Sequence, residues 1–368
     1  MKRKLICAWI ALCLLAGMNG LPARAEEPVF DCAEDLLEYI WNGCAPALAG
    51  EISFGYTEAL DGLFSEPEPM EAVLYSCGLM NWRQYQDAER RTVRLTEIEY
   101  YPGYRIARLR EAQEEHLLDE EEKAALAQAE QIVSEVAQTA HNEYETALGL
   151  HDALICRVTY DFNDTIGQDS RDTAVGALVY GRAECDGYAD AYYLLCSLAG
   201  IPAGYQHGSS LGEEGWIGHM WNVIRWDGLW YQTDVTWDDL NWDSYPQMGS
   251  YRYFSVSADM MGENHVWDPA LSPFEQAETM NRDVFFYTRA NDESEAGVCF
   301  DTVKEAAEYI VRERNRRGAG DFHVMVRADS EDGTDLNSAL GSCGLRGGWR
   351  IFSHRMGDDL CIDVLVAD

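Results

Sequence analysis

The chain has 368 residues, with 28 Lys and Arg against 64 Asp and Glu, a formal charge of −36 at neutral pH. That balance argues against nucleic acid and anionic membrane as partners, because it repels polyanions, and it suits a basic or lysine-rich substrate. With 11 Trp, 20 Tyr and 11 Phe, the chain is too aromatic for disorder and long enough for more than one domain.

Residues 1–25, MKRKLICAWIALCLLAGMNGLPARA, join a basic start, a short apolar run and small residues at Ala23 and Ala25, the pattern of a cleaved export signal. Removing it takes away four basic and no acidic residues, which moves the charge to about −40. A secreted, extracellular protein is expected. No lipid anchor is expected at Cys7 or Cys13, and no later stretch suits a membrane span. Nine cysteines remain, an odd number, without a CxxC pair or a Cys/His cluster of zinc spacing. Neither a metal centre nor a disulfide pattern is assigned.

The two ends of the mature chain resemble each other. "FDCAEDLLEYI" from Phe30 aligns with "FDTVKEAAEYI" from Phe300, and the offset of 270 continues to Ala49-Gly50 against Ala319-Gly320. "SCGL" at Ser76 recurs at Ser342. Each copy reads helix, Ala-Gly turn, strand, helix, strand. The organisation expected is a signal over 1–25, an N-terminal α/β module over 26–110, a central domain over 116–270 and a related C-terminal module over 296–368. The reading leaves open whether the N-terminal module masks the central cleft as a pro-segment.

The central domain opens with a helix capped by Asp119, with Glu122 three residues on, and an apolar stripe at positions 126, 129, 132, 133 and 136. Asn142 and Glu145 repeat the capping pattern ahead of a helix whose inner face carries Tyr144, Leu148, His151 and Ile155, His151 reading as a core residue. A third helix, from Cys185 to Ala199, is stopped by Gly200 and Pro202. Cys185 stands at its N-terminus, where unpaired amides and the helix dipole favour an anion, so its thiol is expected to ionise readily. The same amides suit an oxyanion. Gly187 is expected to let substrate backbone approach, and Cys196, in an apolar stretch, to be packing.

In "HMWNVIRWDGLWYQTDVTWDD", from His219, Asp227-Gly228 predicts a two-residue hairpin turn. His219 then faces Thr236 and Trp221 faces Asp234, which leaves Asp234 the diagonal neighbour of His219 on one face. A carboxylate on one imidazole nitrogen leaves the other to take a proton from a thiol.

"YGRAECDGYADAYYLLCSLAGIP", "GHMWNVIRWDGLWYQTDVTWDD" and "YRYFSVSADMMGENHVWD" together resemble the transglutaminase-like superfamily, particularly its secreted bacterial members. The resemblance covers about 150 residues, to about Pro269. It implies an α+β, papain-like core, a nucleophile helix packed on an antiparallel sheet, here flanked by two small related α/β modules. By position it implies Cys185 as nucleophile, His219 as general base and Asp234 as orienting carboxylate. Met220 departs from the alanine common in the family; its side chain is expected to point away from the catalytic face. Trp221, Asn222, Trp237 and Asp238 are read as supports. His207 and His265 could reach the cleft, with surface or packing roles the leading reading for both. Asp234, Asp238, Asp239 and Asp243 suggest calcium, but their spacing fits no EF-hand loop and strand alternation would scatter them, so no cofactor is assigned.

The superfamily shares thiolate attack on an amide to give a thioester. A cysteine peptidase or amidase acting on protein or cell-wall peptides is the leading expectation. A protein-crosslinking transglutaminase is the alternative, and cleavage of glycan-asparagine amides a more distant one. A binding module with a decayed relay is the reading of another class; all three relay residues are present here.

Overall fold

The computed structural model describes residues 27–212, 215–226, 228–239, 250–272, 274, 299–318, 320–327, 335–356 and 359–366. Residues 1–25, read above as an export signal, Asp227 of the hairpin and Asp243 lie outside the described residues.

The N-terminal segment runs β1 (Val29–Phe30), α1 (Ala33–Tyr39), β2 (Ile52–Tyr56), α2 (Pro67–Ser76), β3 (Leu79–Asp87) and β4 (Thr92–Tyr100), with sheet order β1-β2-β4-β3. β1 pairs parallel to β2, and the other neighbours are antiparallel. Then come α3 (Pro102–Glu111), α4 (Glu120–Val136) and α5 (Glu143–Ile155). The short parallel pair β5 (Thr159–Tyr160) and β6 (Arg182–Ala183) leads into α6 (Cys185–Leu198). β7 (Ala203–Gly212), β8 (Gly215–Trp226) and β9 (Leu229–Thr233) form an antiparallel meander, followed by the helical turn α7 (Val235–Asp238). The two-residue strand β10 (His265–Val266) adds to β7, giving the order β10-β7-β8-β9.

The C-terminal segment runs β11 (Cys299–Phe300), α8 (Val303–Arg317), β12 (Gly320–Val326), α9 (Leu336–Ser342), β13 (Trp349–Met356) and β14 (Asp359–Val366). Its sheet order, β11-β12-β14-β13, and its single parallel pair repeat those of the N-terminal sheet. Neither the two-residue first strand nor the first hairpin strand of each copy is among the elements expected from the sequence.

Local chemistry accounts for the central helices. Asp119 accepts from the Glu122 backbone N–H at 2.8 Å while Glu122 accepts from the Asp119 N–H at 2.9 Å, a reciprocal cap of about 1 kcal/mol. Asn142 caps α5 by accepting from the Glu145 N–H at 2.8 Å. α6 is buried from Gly187 through Cys196. A helix apolar nearly all round must be enclosed by other elements. Gly200 takes a left-handed φ of 77° just past its end, as a helix terminator should.

The terminal sheets bond to this centre differently. One continuous hydrophobic core runs from Phe30 to Phe254, through the N-terminal sheet, α3 to α6 and the inner face of β7 to β9. Residues of the C-terminal segment form a core of their own around Ile310, Val324 and Ile362. Met325 and Cys361 join that segment to Trp221, Tyr253, Val256, Met260 and Met261.

Asp190 of α6 is the principal polar tie to the N-terminal segment. It is fully buried and accepts from the backbone N–H groups of Gly103 (2.9 Å), Tyr104 (3.3 Å) and Ala174 (2.8 Å) and from the Tyr205 hydroxyl (2.8 Å). Two of these amides open α3, whose own N-cap residue, Tyr101, supplies no side-chain cap. Burial pushes the Asp190 carboxyl up to about 6, against the pull of those donors. Replacing Asp190 by Ala leaves several buried donors unpaired and should cost about 3–5 kcal/mol. Urea denaturation of D190A and D190N checks this, with D190N, which keeps a carbonyl, expected to lose less. Removing residues 26–115 should likewise yield an insoluble or unfolded chain; a soluble truncate with faster turnover would support the pro-segment reading.

Candidate active site

The hairpin register explains how His219 and Asp234 meet. Pairing runs from Trp226↔Leu229 to Asn222↔Thr233, the register a two-residue turn demands, and Gly228 takes φ 82°. Beyond Thr233 the expected pairs, Trp221 with Asp234 and His219 with Thr236, do not form. Asp234 instead leaves the strand and caps α7, accepting from the Trp237 N–H at 3.1 Å, and Thr236 lies within that turn. A helical turn can use the Asp234 side chain as its cap, and that local bond outcompetes further strand pairing. The Asp234 carboxylate still reaches its target: Oδ2 lies 2.6 Å from His219 Nε2.

β8 continues past the meander by pairing with β7, where His219 stands opposite Gly208. A Cβ at Gly208 would come within 2.2 Å of the Val266 carbonyl on β10 and 3.0 Å of the Trp221 ring. The bare backbone there lets β10 close over the sheet, bringing in His265. His265 Nε2 lies 3.0 Å from the same Asp234 Oδ2. His219, Asp234 and His265 are all buried. Of the readings of His265, the surface one is excluded: the ring is interior, packed and polar-bonded at the cleft, because a two-residue strand after Asn264 pairs with β7. The motif "NHVWD" carried no spacing that relates it to Asp234, so only the sheet pairing reveals the contact.

Cys185 heads α6 as expected. Its thiol lies 3.6 Å from Asp186 Oδ1, and the backbone N–H of Met220, next in sequence to His219, favours the thiolate. The expectation of a readily ionised thiol is corrected. Burial pushes the Cys185 thiol well above its ordinary range, Asp186 and Asp234 add to this, and the Met220 amide offsets part of it. Desolvation of the sulfur outweighs the favourable helix terminus. Asp186, unsuspected from the sequence, is itself pushed up to about 6 by burial. The Tyr101 hydroxyl lies 3.4 Å from it. Gly187 also differs from expectation: a Cβ there would meet the chain's own Arg171 carbonyl at 2.3 Å, so the glycine accommodates the helical turn that ends at Arg171 and not a substrate.

Met220 is fully buried in the main core, with Ile224, while Trp221 packs in the cluster that reaches the C-terminal segment. His207, opposite Met220, stacks on Tyr75 of α2 with centroids 4.7 Å apart. Burial and His219 depress it to about 4, which keeps it neutral. The supporting residues have separate partners. Trp221 Nε1 donates to Gln232 Oε1 at 2.6 Å, and Asn222 Nδ2 donates to the Ala189 carbonyl of α6 at 3.0 Å. The Tyr188 hydroxyl of α6 donates to Asp239 at 2.6 Å. Asp238 lies 3.2 Å from His151 Nε2, and His151 Nδ1 lies 3.0 Å from Asp152.

Asp238 and Asp239 thus serve as anchors for the loop that presents Asp234. Among the described residues, the groups close enough to share an ion are His219–Asp234–His265 and the more open Asp31–Cys32–Asp35. In the first, separations of 2.6 and 3.0 Å are those of hydrogen bonds. Ligands about 2.0 Å from a tetrahedral zinc stand about 3.3 Å apart.

Residues 130–235 match the family model of the transglutaminase-like superfamily. Over that span the chain is similar to the transglutaminase-like superfamily. Kyphoscoliosis peptidase of mouse is 25% identical over 153 residues, 38% of this chain and 23% of that protein. The human protein is 28% identical over 119 residues, 29% of this chain and 18% of that one. The chain therefore spans less than a quarter of these curated relatives. A transglutaminase crystal structure aligns over 54% of this chain and 53% of its own, at 13% identity and TM-score 0.29. A candidate cysteine protease from Cytophaga hutchinsonii aligns over 43% and 62%, at 17% identity and TM-score 0.27.

His151 gives the site a measurable pH signature. Burial works against its charge, yet Asp152 and Asp238 prevail and raise it to about 9 from an ordinary 6.5. Its stabilising contribution is complete below the unfolded value and is lost as pH rises through the folded one. Between pH 6.5 and 8.5 the melting temperature should fall in the wild type and fall less in H151Q; parallel slopes by differential scanning calorimetry would contradict the assignment.

Proposed function

We propose that this domain is a thiol enzyme that cleaves amide bonds, with Cys185 as nucleophile, His219 as general base and Asp234 as the group that orients it. The observation that carries the reading is the 2.6 Å bond from His219 Nε2 to Asp234. It fixes the imidazole proton on Nε2 and leaves Nδ1 to accept from the Cys185 thiol.

The raised thiol pKa shapes the mechanism. Cys185 rests as a neutral thiol, and its proton passes to His219 Nδ1 as sulfur attacks the substrate carbonyl. The developing oxyanion is stabilised by N-terminal amides of α6. Imidazolium then protonates the leaving amine, which departs and leaves a thioester. Water, deprotonated by His219, hydrolyses the thioester and restores the thiol. Hydrolysis of protein or cell-wall peptides outside the cell is the activity proposed, in keeping with the export signal read in residues 1–25.

Iodoacetamide labelling with peptide mapping tests the relay. Cys185 should react faster than buried Cys196, and His219→Ala should remove the difference. Labelling of Cys185 no faster than Cys196 in the wild type would defeat the proposal. D234N should lower turnover about 10²–10⁴-fold. Mass spectrometry of casein-like proteins with an added amine identifies the product: gain of water at a backbone amide marks hydrolysis, whereas loss of ammonia with a new isopeptide bond marks crosslinking and would replace the hydrolytic reading.

A further inference from the structure

Asp234 Oδ2 has two imidazole neighbours, and the relay proposed above uses only one. We propose that His265 is a positioning residue for that relay: its Nε2–H donates to Asp234 Oδ2 alongside His219, holding the carboxylate at the angle that keeps the His219 proton on Nε2.

The geometry is unusually constrained. The Asp234 carboxylate accepts from Trp237 N–H on Oδ1 and faces His219 Nε2 and His265 Nε2 with Oδ2. An ionised carboxylate is acceptor-only, so each ring nitrogen within bonding distance of Oδ2 must carry a hydrogen. Burial opposes the charge on Asp234, but His219 and His265 together hold its pKa well below the usual carboxylate range. The Asp234 charge is therefore present throughout the working pH range.

The charge state of His265 follows from its surroundings. Burial lowers its pKa, Asp234 raises it, and His219 and Arg252 lower it further, for a net depression. Tyr253 and Trp237 pack against the ring with centroids 5.4 and 5.0 Å away. A neutral His265 with its proton on Nε2 needs a donor at Nδ1. The Asn264 side-chain amide is there, with its Oδ1 2.8 Å from Nδ1 and its Nδ2 2.6 Å from the Tyr253 hydroxyl. Turning that amide end over end gives Nδ1 an N–H donor and lets Tyr253 donate to the amide oxygen. The result is one directional chain, Tyr253 to Asn264 to His265 to Asp234, that meets His219 from the opposite side.

A neutral second imidazole suits proton transfer. When His219 becomes imidazolium, the Asp234 charge pairs with it directly, and a neutral His265 adds no second cation there. The ring also blocks rotation of the carboxylate, which its single cap at Trp237 would otherwise permit.

The test uses the full chain, with ring nitrogens of histidine labelled with ¹⁵N, and iodoacetamide as the probe of Cys185. In the wild type, His219 and His265 should both show downfield ring N–H signals assigned to Nε2. H265F keeps the ring volume and removes the donor. It should erase one signal, move the His219 signal further downfield because Asp234 now has a single imidazole donor, and slow Cys185 alkylation about 10–100-fold. H265Q, which can donate from its amide, should recover part of the rate.

An unmoved His219 signal with a wild-type rate in folded H265F would overturn the inference. So would a wild-type His265 whose proton sits on Nδ1 alone, a result that needs no variant. The inference rests on the proposed relay, and the two fail separately. If H219A leaves alkylation unchanged, the relay itself is wrong; if H219A abolishes the enhancement and H265F does not alter it, only the role of His265 is lost.

Discussion

A single buried carboxylate organises the centre of this protein. Asp234 ends β9, caps α7 and accepts from one imidazole at 2.6 Å, with a second at 3.0 Å. Burying such a charge without partners is prohibitive, so strand, helical turn and the remote segment bearing His265 must arrive together. The neighbouring acidic residues pin the same turn: Asp238 to His151 on α5 and Asp239 to Tyr188 on α6. The acidity of this stretch, which at first suggests a cation site, is distributed one carboxylate per helix or strand.

The N-terminal segment is joined to the centre by the same device. Asp190 satisfies the first amides of a helix that lacks a cap of its own, and the surrounding aromatic rings make the joint apolar. Tyr101 and Tyr75 carry that segment as far as Asp186 and His207, beside the thiol. The two terminal sheets share a strand order but differ in attachment. One has merged its interior with the central domain, and the other keeps a separate core and touches the centre through Met325 and Cys361.

Much of this was legible from local rules. The caps at Asp119 and Asn142, the span of α6 and the hairpin register each depend on residues within a few positions, and each appears where spacing predicts it. Extrapolating that register failed at Asp234, because a side-chain cap can end a strand and alternation alone does not register such competition. The charge state of Cys185 was misread for a related reason. A helix terminus is visible in sequence, whereas desolvation depends on everything packed around the sulfur. His265 was noted in the sequence but not tied to Asp234, because its contact crosses from β10 to the end of β9, joined by strands that pair far apart in the chain.

The empty side-chain position at Gly208 links these observations. Opposite His219, it is where β10 settles to within contact of the sheet. Substituting even a methyl group would lift that edge strand and swing its imidazole out of reach of the carboxylate. A residue with no functional group of its own therefore governs the electrostatics of the centre as strictly as any residue that exchanges protons there, and natural variation at this position should be as restricted as at the histidines it separates.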